Sequence, residues 1–113
     1  KTVPKMTLVS TPQHGGAVDT RTLIPHRVHE AIGVFGAVSV ATACLVPGSV
    51  AAEVAKINDP AEVEIEHPTG FFTVTMDVET VDGAVVVRQA ALLRTARLLM
   101  RGEVFVPRAV WNR

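Results

Sequence analysis

Two histidines and a glutamate in the first third of the chain are the first residues whose spacing suggests chemistry. His26 and His29 lie three positions apart, and Glu30 follows His29 directly. Imidazole and carboxylate groups bind zinc in many proteins, but such a site needs three or four ligands that converge on the ion. These three neighbouring residues have no evident further ligand, and surface or capping histidines are far commoner. We therefore expect no metal site.

The glycines that follow offer a second kind of chemistry. Gly33, Val34, Phe35 and Gly36 precede a long apolar run. The first turn of a helix carries unpaired backbone N–H groups and the positive end of the helix dipole. Glycine in that turn lets a carboxylate or phosphate approach the backbone closely, which predicts an anion site. The same glycines would also permit strands to pack closely on the helix, and both interpretations stay open.

Arginines are the cations that could complete such an anion site. The candidates are Arg21, Arg94 and Arg97. Arg94 stands out because residues 90–93 and Ala96 around it are apolar. This context predicts a partly buried guanidinium that needs an anion. The alternative is a solvated side chain, as most arginines have.

Conventional catalytic patterns are absent from the sequence. It contains no nucleophile-elbow, phosphate-loop, paired-cysteine or paired-histidine zinc motif. The only cysteine, Cys44, lies inside the apolar run. A reactive thiol needs exposure and a neighbour that stabilises the thiolate, and neither is evident. We therefore expect Cys44 to be structural.

The composition of the 113 residues narrows the function classes. Eleven basic and eleven acidic side chains cancel, and the chain has four Phe, one Trp and no Tyr. A nucleic-acid-binding surface is therefore not expected, because it needs a basic face and stacking aromatics. An apolar fraction of 48% excludes a disordered chain. One cysteine suits a reducing cytoplasm, and no signal peptide is evident at the start.

The apolar run itself must position the candidate site. Residues 31–46 carry no charge and no polar stripe, and Pro47 and Gly48 end the run. A helix that is apolar all round is buried in protein or inserted in lipid. The run is short for a membrane span, contains Ser39 and Thr42, and lacks flanking basic clusters. We therefore predict a central helix over about 29–46, buried on nearly every side, and no membrane span.

The remaining sequence alternates as strands do. Ser49 predicts the cap of a short second helix over about 49–57. In residues 62–66 the pattern places Val63 and Ile65 inward and three carboxylates in water. Asp82-Gly83 predicts a hairpin turn. The predicted strands are 6–10, 17–24, 62–66, 71–80, 84–93, 96–100 and 103–106. The sequence thus predicts a single α+β domain over 1–113, with a mostly antiparallel sheet wrapped around the central helix.

Four segments resemble one protein family. They are residues 3–5 (VPK), residues 29–48 (HEAIGVFGAVSVATACLVPG), residues 66–70 (EHPTG) and residues 94–107 (RTARLLMRGEVFVP). In this order they resemble the C-terminal domain of the 4-oxalomesaconate tautomerase and 2-methylaconitate isomerase family. Each segment alone is weak, but together they span nearly the whole chain. The text GAVSVATA favours the oxalomesaconate branch.

The resemblance implies a diaminopimelate-epimerase-like fold and a site between two similar halves. It implies proton transfer on a small unsaturated tricarboxylate, without a cofactor, in the cytoplasm. The family's reacting lysine, and its cysteine where present, belong to an N-terminal half that these 113 residues lack. No catalytic residue is therefore expected here, and Cys44 does not match the reactive cysteine. The expected substrate-binding residues are His29, Gly33, Val34, Phe35, Arg94 and Arg21.

The expected partners follow from the same interpretation. They are the tricarboxylate substrate and the N-terminal half of the same protein. A second copy in a homodimer is an open alternative. His29 is expected to bind substrate, to shuttle a proton or to cap the helix. Two other functions stay open, a 2-methylaconitate or aconitate isomerase of the same family and a non-catalytic module that binds small carboxylates. A purely structural domain is a further alternative.

Overall fold

The computed structural model describes residues 4–111 as a five-stranded sheet with two helices on one face. The strands are β1 (Met6–Ser10), β2 (Val18–Leu23), β3 (Glu62–His67), β4 (Gly70–Val81) and β5 (Ala84–Leu92). The helices are α1 (Val34–Leu45) and α2 (Val50–Val54). Strands follow the order β1-β2-β3-β4-β5, and every neighbouring pair is antiparallel except β2 and β3. The predicted α+β class and mostly antiparallel sheet are confirmed.

Both helices lie in the connection between the two parallel strands. A parallel pair needs a long crossover, and here residues 24–61 provide it. The crossover lays α1 against the inner face of the sheet, where alternate strand residues are apolar. Val18, Val63, Ile65, Phe72, Val74 and Met76 form the strand side of this core, and Ala37, Val40, Ala41 and Cys44 form the helix side. The core therefore lies between one face of the sheet and one face of α1.

The structure corrects the predicted extent and burial of the central helix. α1 begins at Val34, not at His29, because residues 24–33 form a loop with an extended Gly33 at the helix N-cap. Only one face of α1 is buried, and Phe35 on the other side is 84% exposed. α2 ends at Val54 instead of position 57, although Ser49 caps it as predicted by accepting the Ala52 N–H at 3.0 Å. No helix within residues 4–111 is long and apolar enough to cross a membrane.

The sheet also differs from the prediction at its C-terminal end. The β4–β5 hairpin is confirmed: Asp82 and Gly83 form its turn with φ angles of 51° and 79°. The final predicted hairpin, with strands 96–100 and 103–106, does not form, and residues 93–107 have no regular secondary structure. Apolar residues favour a strand only where a partner strand or a core face is available, and the side chains of residues 96–106 are exposed.

The carboxylate of Glu66 is buried, whereas the alternation of residues 62–66 predicted that it faces water. The residue is 1% exposed. Its Oε2 accepts the N–H of Gln13 at 2.8 Å, and its Oε1 accepts those of His14 at 2.7 Å and Gly16 at 2.8 Å. Burial alone would raise the pKa of Glu66, but the three backbone N–H donors of Gln13, Gly16 and His14 outweigh it and lower the pKa. The carboxylate thus closes the loop between β1 and β2 onto β3.

Gly16 is required for this closure. A Cβ added at Gly16 would lie 2.7 Å from Glu66 Cγ and 3.1 Å from the Glu64 carbonyl oxygen. No side chain fits at these distances unless the loop moves away from β3. Gly15, the residue before Gly16, has a φ of 86°, a backbone angle that favours glycine. Gly16 is needed because its backbone lies close to Glu64 and Glu66, and not because it has a positive φ.

The lowered pKa of Glu66 predicts the pH dependence of stability. A depressed carboxyl pKa contributes stability that is complete above the unfolded value of about 4.3 and is lost as pH falls through the folded pKa. Glu66→Gln should cost about 2 to 4 kcal/mol at pH 7, since charged hydrogen bonds are lost and an amide N–H₂ faces backbone donors. This deficit should shrink as the pH falls below about 4. Urea unfolding of both proteins between pH 7 and pH 3 measures it.

The matched control is Glu64→Gln, because Glu64 lies on the same strand with an exposed side chain. It should change the free energy of unfolding by no more than about 0.5 kcal/mol. A Glu66→Gln deficit that stays constant from pH 7 to pH 3 would contradict the assignment of a depressed pKa.

Cys44 provides a second prediction. The thiol is 5% exposed, and burial raises its pKa to about 11. Since the thiolate is the nucleophile, alkylation at pH 8 should be at least about 100-fold slower in the folded chain than in urea. The 113-residue chain has one cysteine, so iodoacetamide labelling followed by mass spectrometry reports this site alone. Equal labelling rates with and without urea would show that the thiol is accessible.

Candidate functional site

A cavity of about 150 Å³ lies between the start of α1 and the inner face of β1 and β2. It is lined by residues from four parts of the chain: Lys5, Thr7, Thr22, Ile24, His29, Gly33 and Gly36. A larger groove of about 460 Å³ shares Lys5, Thr7 and Gly36 with it and continues along the side of α1. The two cavities together give the start of α1 an open approach from the side of β1.

The first turn of α1 has free donors and open space. No side chain within residues 4–111 caps the helix, and its first turn contains no acidic residue. The backbone N–H groups of Val34, Phe35 and Gly36 are therefore the donors that a helix start leaves without an intrahelical acceptor. A Cβ added at Gly33 would meet nothing within 4 Å. At Gly33, then, the glycine does not serve close packing against the described part of the chain.

His29 lies beside this turn without capping the helix. Its backbone N–H donates to the Thr22 carbonyl at 2.7 Å, and its Nδ1 accepts the Ala31 N–H at 3.0 Å. The side chain therefore fixes the loop that leads into α1, two residues before the N-cap. Because Nδ1 is an acceptor, the neutral ring carries its proton on Nε2. That leaves one N–H donor on a residue that lines the cavity.

Threonine hydroxyls complete the polar wall on the sheet side. Thr7 on β1 and Thr22 on β2 face each other across the strand pair, and their Oγ1 atoms lie 3.0 Å apart. Thr22 is 5% exposed. Both alternate inward along their strands, which brings them to the same side of the sheet as the start of α1.

Lys5 is the cation at this cavity, and the sequence interpretation missed it as a site residue. It is exposed, precedes β1 directly and lines both cavities. The sequence feature that could have indicated this role is the position of Lys5 directly before β1, whose inward residues face the helix. Only the pairing of β1 with β2 shows that this end of β1 reaches the start of α1.

The two predicted arginines lie in different environments. Arg21 points to the opposite side of β2 from Thr22 and pairs with Asp19, with Nη1 and Oδ1 2.7 Å apart. Arg94 is exposed, contrary to the expected partial burial, because it follows the last strand instead of lying in a covered one. Its guanidinium carbon lies 5.5 Å from the centre of the Phe72 ring, on the helix side of β4. The structure thus separates Arg21 from the helix start and leaves Arg94 on the helix-facing side.

The turn between β3 and β4 holds the loop before α1 in place. Thr69 donates its hydroxyl hydrogen to the Glu30 carbonyl at 2.7 Å, and its backbone N–H donates to His67 Nδ1 at 3.3 Å. The same loop is held on the β2 side by the bond between His29 and Thr22. Hydrogen bonds from the β3–β4 turn and from β2 therefore fix the entrance of α1. Within the described residues, no group of three or more histidine, cysteine or acidic side chains could hold a metal ion.

A solved structure shares the fold. The crystal structure of methylitaconate-delta-isomerase matches 80% of this chain with a TM-score of 0.63 at 20% sequence identity, and the match covers 28% of that protein. At this level of identity the likeness concerns the fold alone. It places the sheet and two helices of this chain within a larger known architecture.

Sequence relatives are much more similar. The chain is 57% identical over 108 residues to the (4E)-oxalomesaconate Delta-isomerase of Novosphingobium sp. (strain KA1) and 51% identical over 114 residues to the 4-oxalomesaconate tautomerase of Pseudomonas putida. These matches cover 94% and 99% of this chain, but only 29% and 30% of the two relatives. The 2-methyl-aconitate isomerase of Cupriavidus necator is 34% identical over 87 residues, which cover 77% of this chain and 22% of that protein.

The family profile described as "PrpF protein" matches residues 1–107. This range includes every strand and helix of the fold and every residue that lines the cavity at the start of α1. It also includes the four segments on which the family resemblance rested. The chain belongs to the PrpF protein family.

Proposed function

We propose that this chain is the substrate-binding half of a cofactor-independent isomerase that moves a proton within a small unsaturated tricarboxylate such as 4-oxalomesaconate. The observation that carries the proposal is the cavity that combines Lys5, His29 and the uncapped start of α1. Identities of 57% and 51% to relatives named as oxalomesaconate isomerase and tautomerase favour this substrate over 2-methylaconitate, whose named relative is 34% identical.

The proposed whole protein has a second half. Since the chain spans about 30% of the relatives' length, residues 1–113 form the C-terminal domain of a two-domain, diaminopimelate-epimerase-like enzyme in this proposal. The reaction occurs between the halves in the cytoplasm, and the proton-transferring groups belong to the other half. Cys44, buried and with a raised pKa, takes no part in the chemistry.

In the proposed proton transfer, this half stabilises the negative charge that develops on the substrate. Removing a proton from a carbon next to carboxylate or keto groups leaves negative charge on the substrate oxygens. Fixed donors that already point to that charge stabilise it without reorganisation. The N–H groups of Val34 and Phe35 supply such donors, Gly33 allows close approach, and Lys5 supplies a full positive charge.

His29 and the arginines have different places in the proposal. His29 donates its Nε2–H to the substrate while its Nδ1 holds the loop. Arg94 is a proposed second cation, because its side chain is exposed on the helix-facing side of the sheet. Arg21 is left out of the site, because Asp19 already neutralises it on the other side of β2.

Steady-state kinetics of the full-length protein on 4-oxalomesaconate tests the role of Lys5. Lys5→Met removes the charge and keeps most of the aliphatic stem, so kcat/KM should fall by about 10- to 150-fold, the equivalent of about 1.5 to 3 kcal/mol for a charged hydrogen bond. The change in conjugated absorbance follows turnover. Lys56→Met is the matched control, because Lys56 is exposed and lines a different cavity beyond Gly16 and Ala17. Equal kcat/KM values for the two variants would remove Lys5 from the site.

A separate variant tests whether His29 contacts substrate or only supports the loop. In His29→Asn the amide oxygen can still accept the Ala31 N–H, while the Nε2–H donor is lost. We expect kcat/KM to fall by about 10-fold with an unchanged melting temperature. Wild-type kinetics in His29→Asn, together with a lower melting temperature in His29→Ala, would assign His29 a purely structural role.

A further inference from the structure

Two threonine hydroxyls on the sheet side of the cavity at the start of α1 have more hydrogen-bonding capacity than the chain uses. Thr7 on β1 and Thr22 on β2 are paired directly across the two strands, and their Oγ1 atoms lie 3.0 Å apart. A hydroxyl carries one hydrogen and two acceptor lone pairs. The bond between the two residues uses one of their two hydrogens. In the described part of the chain, neither hydroxyl has another hydrogen-bond partner.

Burial decides which of the two hydroxyls has the free hydrogen. Thr22 is 5% exposed, whereas Thr7 is only partly buried and lines both the cavity and the larger groove. A buried O–H without an acceptor is costly, so Thr22 donates to Thr7. The Thr7 hydroxyl therefore has one hydrogen and one lone pair left for a ligand, and it lies at the wall of the cavity.

The other groups that line this cavity share one property, which is that they donate hydrogen bonds. Lys5 has an ammonium group, His29 has its Nε2–H, and the first turn of α1 beside Gly33 has uncapped N–H groups. The lining residues include no carboxylate. A ligand group that carries several acceptor oxygens and little bulk therefore fits the cavity.

The volume of the cavity limits the size of that group. It is about 150 Å³, and a water molecule occupies about 30 Å³ in the liquid, so the cavity holds about five non-hydrogen atoms. A whole tricarboxylate is too large, but one end of it fits. An oxalyl group, a ketone carbon joined to a carboxylate, consists of two carbons and three oxygens. All three oxygens accept hydrogen bonds.

We propose that the cavity binds the oxalyl end of an oxo-tricarboxylate, with the Thr7 hydroxyl on the oxo oxygen and Thr22 as the residue that positions Thr7. This inference rests on the proposed function and adds to it the part of the substrate that this cavity recognises. The carboxylate of the oxalyl group then accepts from the first turn of α1 and pairs with Lys5.

The free hydrogen and the free lone pair of Thr7 allow it to hold both tautomers of an oxo acid. Thr7 donates to the oxygen of the keto form, and its lone pair accepts the O–H of the enol form. No proton passes between Thr7 and the ligand in either case. A ligand without this oxygen leaves the hydroxyl unpaired, and a site that hydrogen-bonds a polar group discriminates against analogues that lack it.

Binding of 2-oxoglutarate and glutarate to the full-length protein tests the proposal, because these dicarboxylates differ only in the oxo group. Isothermal titration calorimetry should give a Kd for 2-oxoglutarate that is at least about 10-fold lower than that for glutarate. In Thr7→Val the two Kd values should become equal within about 2-fold. Thr7→Ser keeps the hydroxyl and should keep the preference.

Thr75→Val is the matched control, since Thr75 is an exposed strand threonine on the face of β4 that points away from α1. It should bind both ligands as the wild type does. Three results would overturn the proposal: equal Kd values in the wild type, no measurable binding of either ligand, or an unchanged preference in Thr7→Val.

A double-mutant cycle tests the role of Thr22. Thr22→Val keeps the shape of the side chain but removes the donor that orients Thr7, so the preference for 2-oxoglutarate should fall by about 3-fold. The Thr7→Val/Thr22→Val protein should bind no more weakly than Thr7→Val alone, because Thr22 acts only through Thr7. Losses that simply add would show that Thr22 contacts the ligand by itself and would contradict its positioning role.

The binding experiment does not depend on turnover. A protein whose preference for 2-oxoglutarate requires Thr7, but which does not convert 4-oxalomesaconate, contradicts the proposed function alone. An active isomerase that shows no such preference and has wild-type kcat/KM in Thr7→Val contradicts the present inference alone.

Discussion

The buried carboxylate of Glu66 is the interaction on which the rest of the structure depends. The sheet consists of one hairpin, β1–β2, and one three-stranded meander, β3–β4–β5, and two residue pairs join them, Val18 with Ile65 and Asp19 with Glu66. Glu66 strengthens this short seam by accepting three N–H groups from the loop before β2, while its carbonyl accepts the Thr20 hydroxyl at 2.6 Å. These bonds add to the core packing of Val18 and to the bond from the Ala17 N–H to the Glu64 carbonyl at 2.7 Å, which also join the hairpin to the meander.

The candidate site depends on the same seam. Lys5 and Thr7 belong to the hairpin, whereas the start of α1 is held from the meander through Thr69. The cavity is lined by the hairpin and by the loop before α1, and that loop is held from both parts of the sheet by Thr22 and Thr69. The Glu66 carboxylate, which closes the loop between β1 and β2 onto β3, thus lies apart from the Lys5 ammonium group, which is proposed to bind substrate. Among residues 4–111 no acidic side chain pairs with Lys5, so its positive potential is available for the proposed anion.

The start of α1 and residues 94–106 share a physical feature: each presents groups that the described chain does not satisfy. The first turn of α1 has uncapped N–H groups, and residues 94–106 have exposed apolar side chains and no backbone–backbone hydrogen bond to the described residues. Backbone donors and large apolar surfaces rarely stay in this condition in a finished protein. In the proposed function, the carboxylates of the substrate supply the acceptors that these helix donors lack.

The local pattern of the sequence alone determined several elements. Alternation in residues 71–80 and the Asp82-Gly83 turn predicted β4 and β5, because both signals depend only on neighbouring residues. Ser49 predicted the cap of α2 for the same reason. The apolar run also predicted α1, but not its first residue, since the hydrogen bonds that hold His29 and Glu30 come from Thr22 and Thr69, which are distant in the chain.

Tertiary structure decided everything that needed two distant segments. Strand alternation predicted that Glu66 is one of three solvated carboxylates. Its burial is favourable because the loop of residues 13–16 folds over it and donates N–H groups to it. Lys5 lines the cavity at the start of α1 because β1 pairs with β2, whereas strand alternation turns Arg21 towards Asp19. The predicted strands 96–100 and 103–106 do not form, because a strand forms only where a partner strand or a core face is available. Sequence periodicity determines which conformation a segment prefers, whereas long-range contacts determine whether that preference is satisfied and which side chains meet.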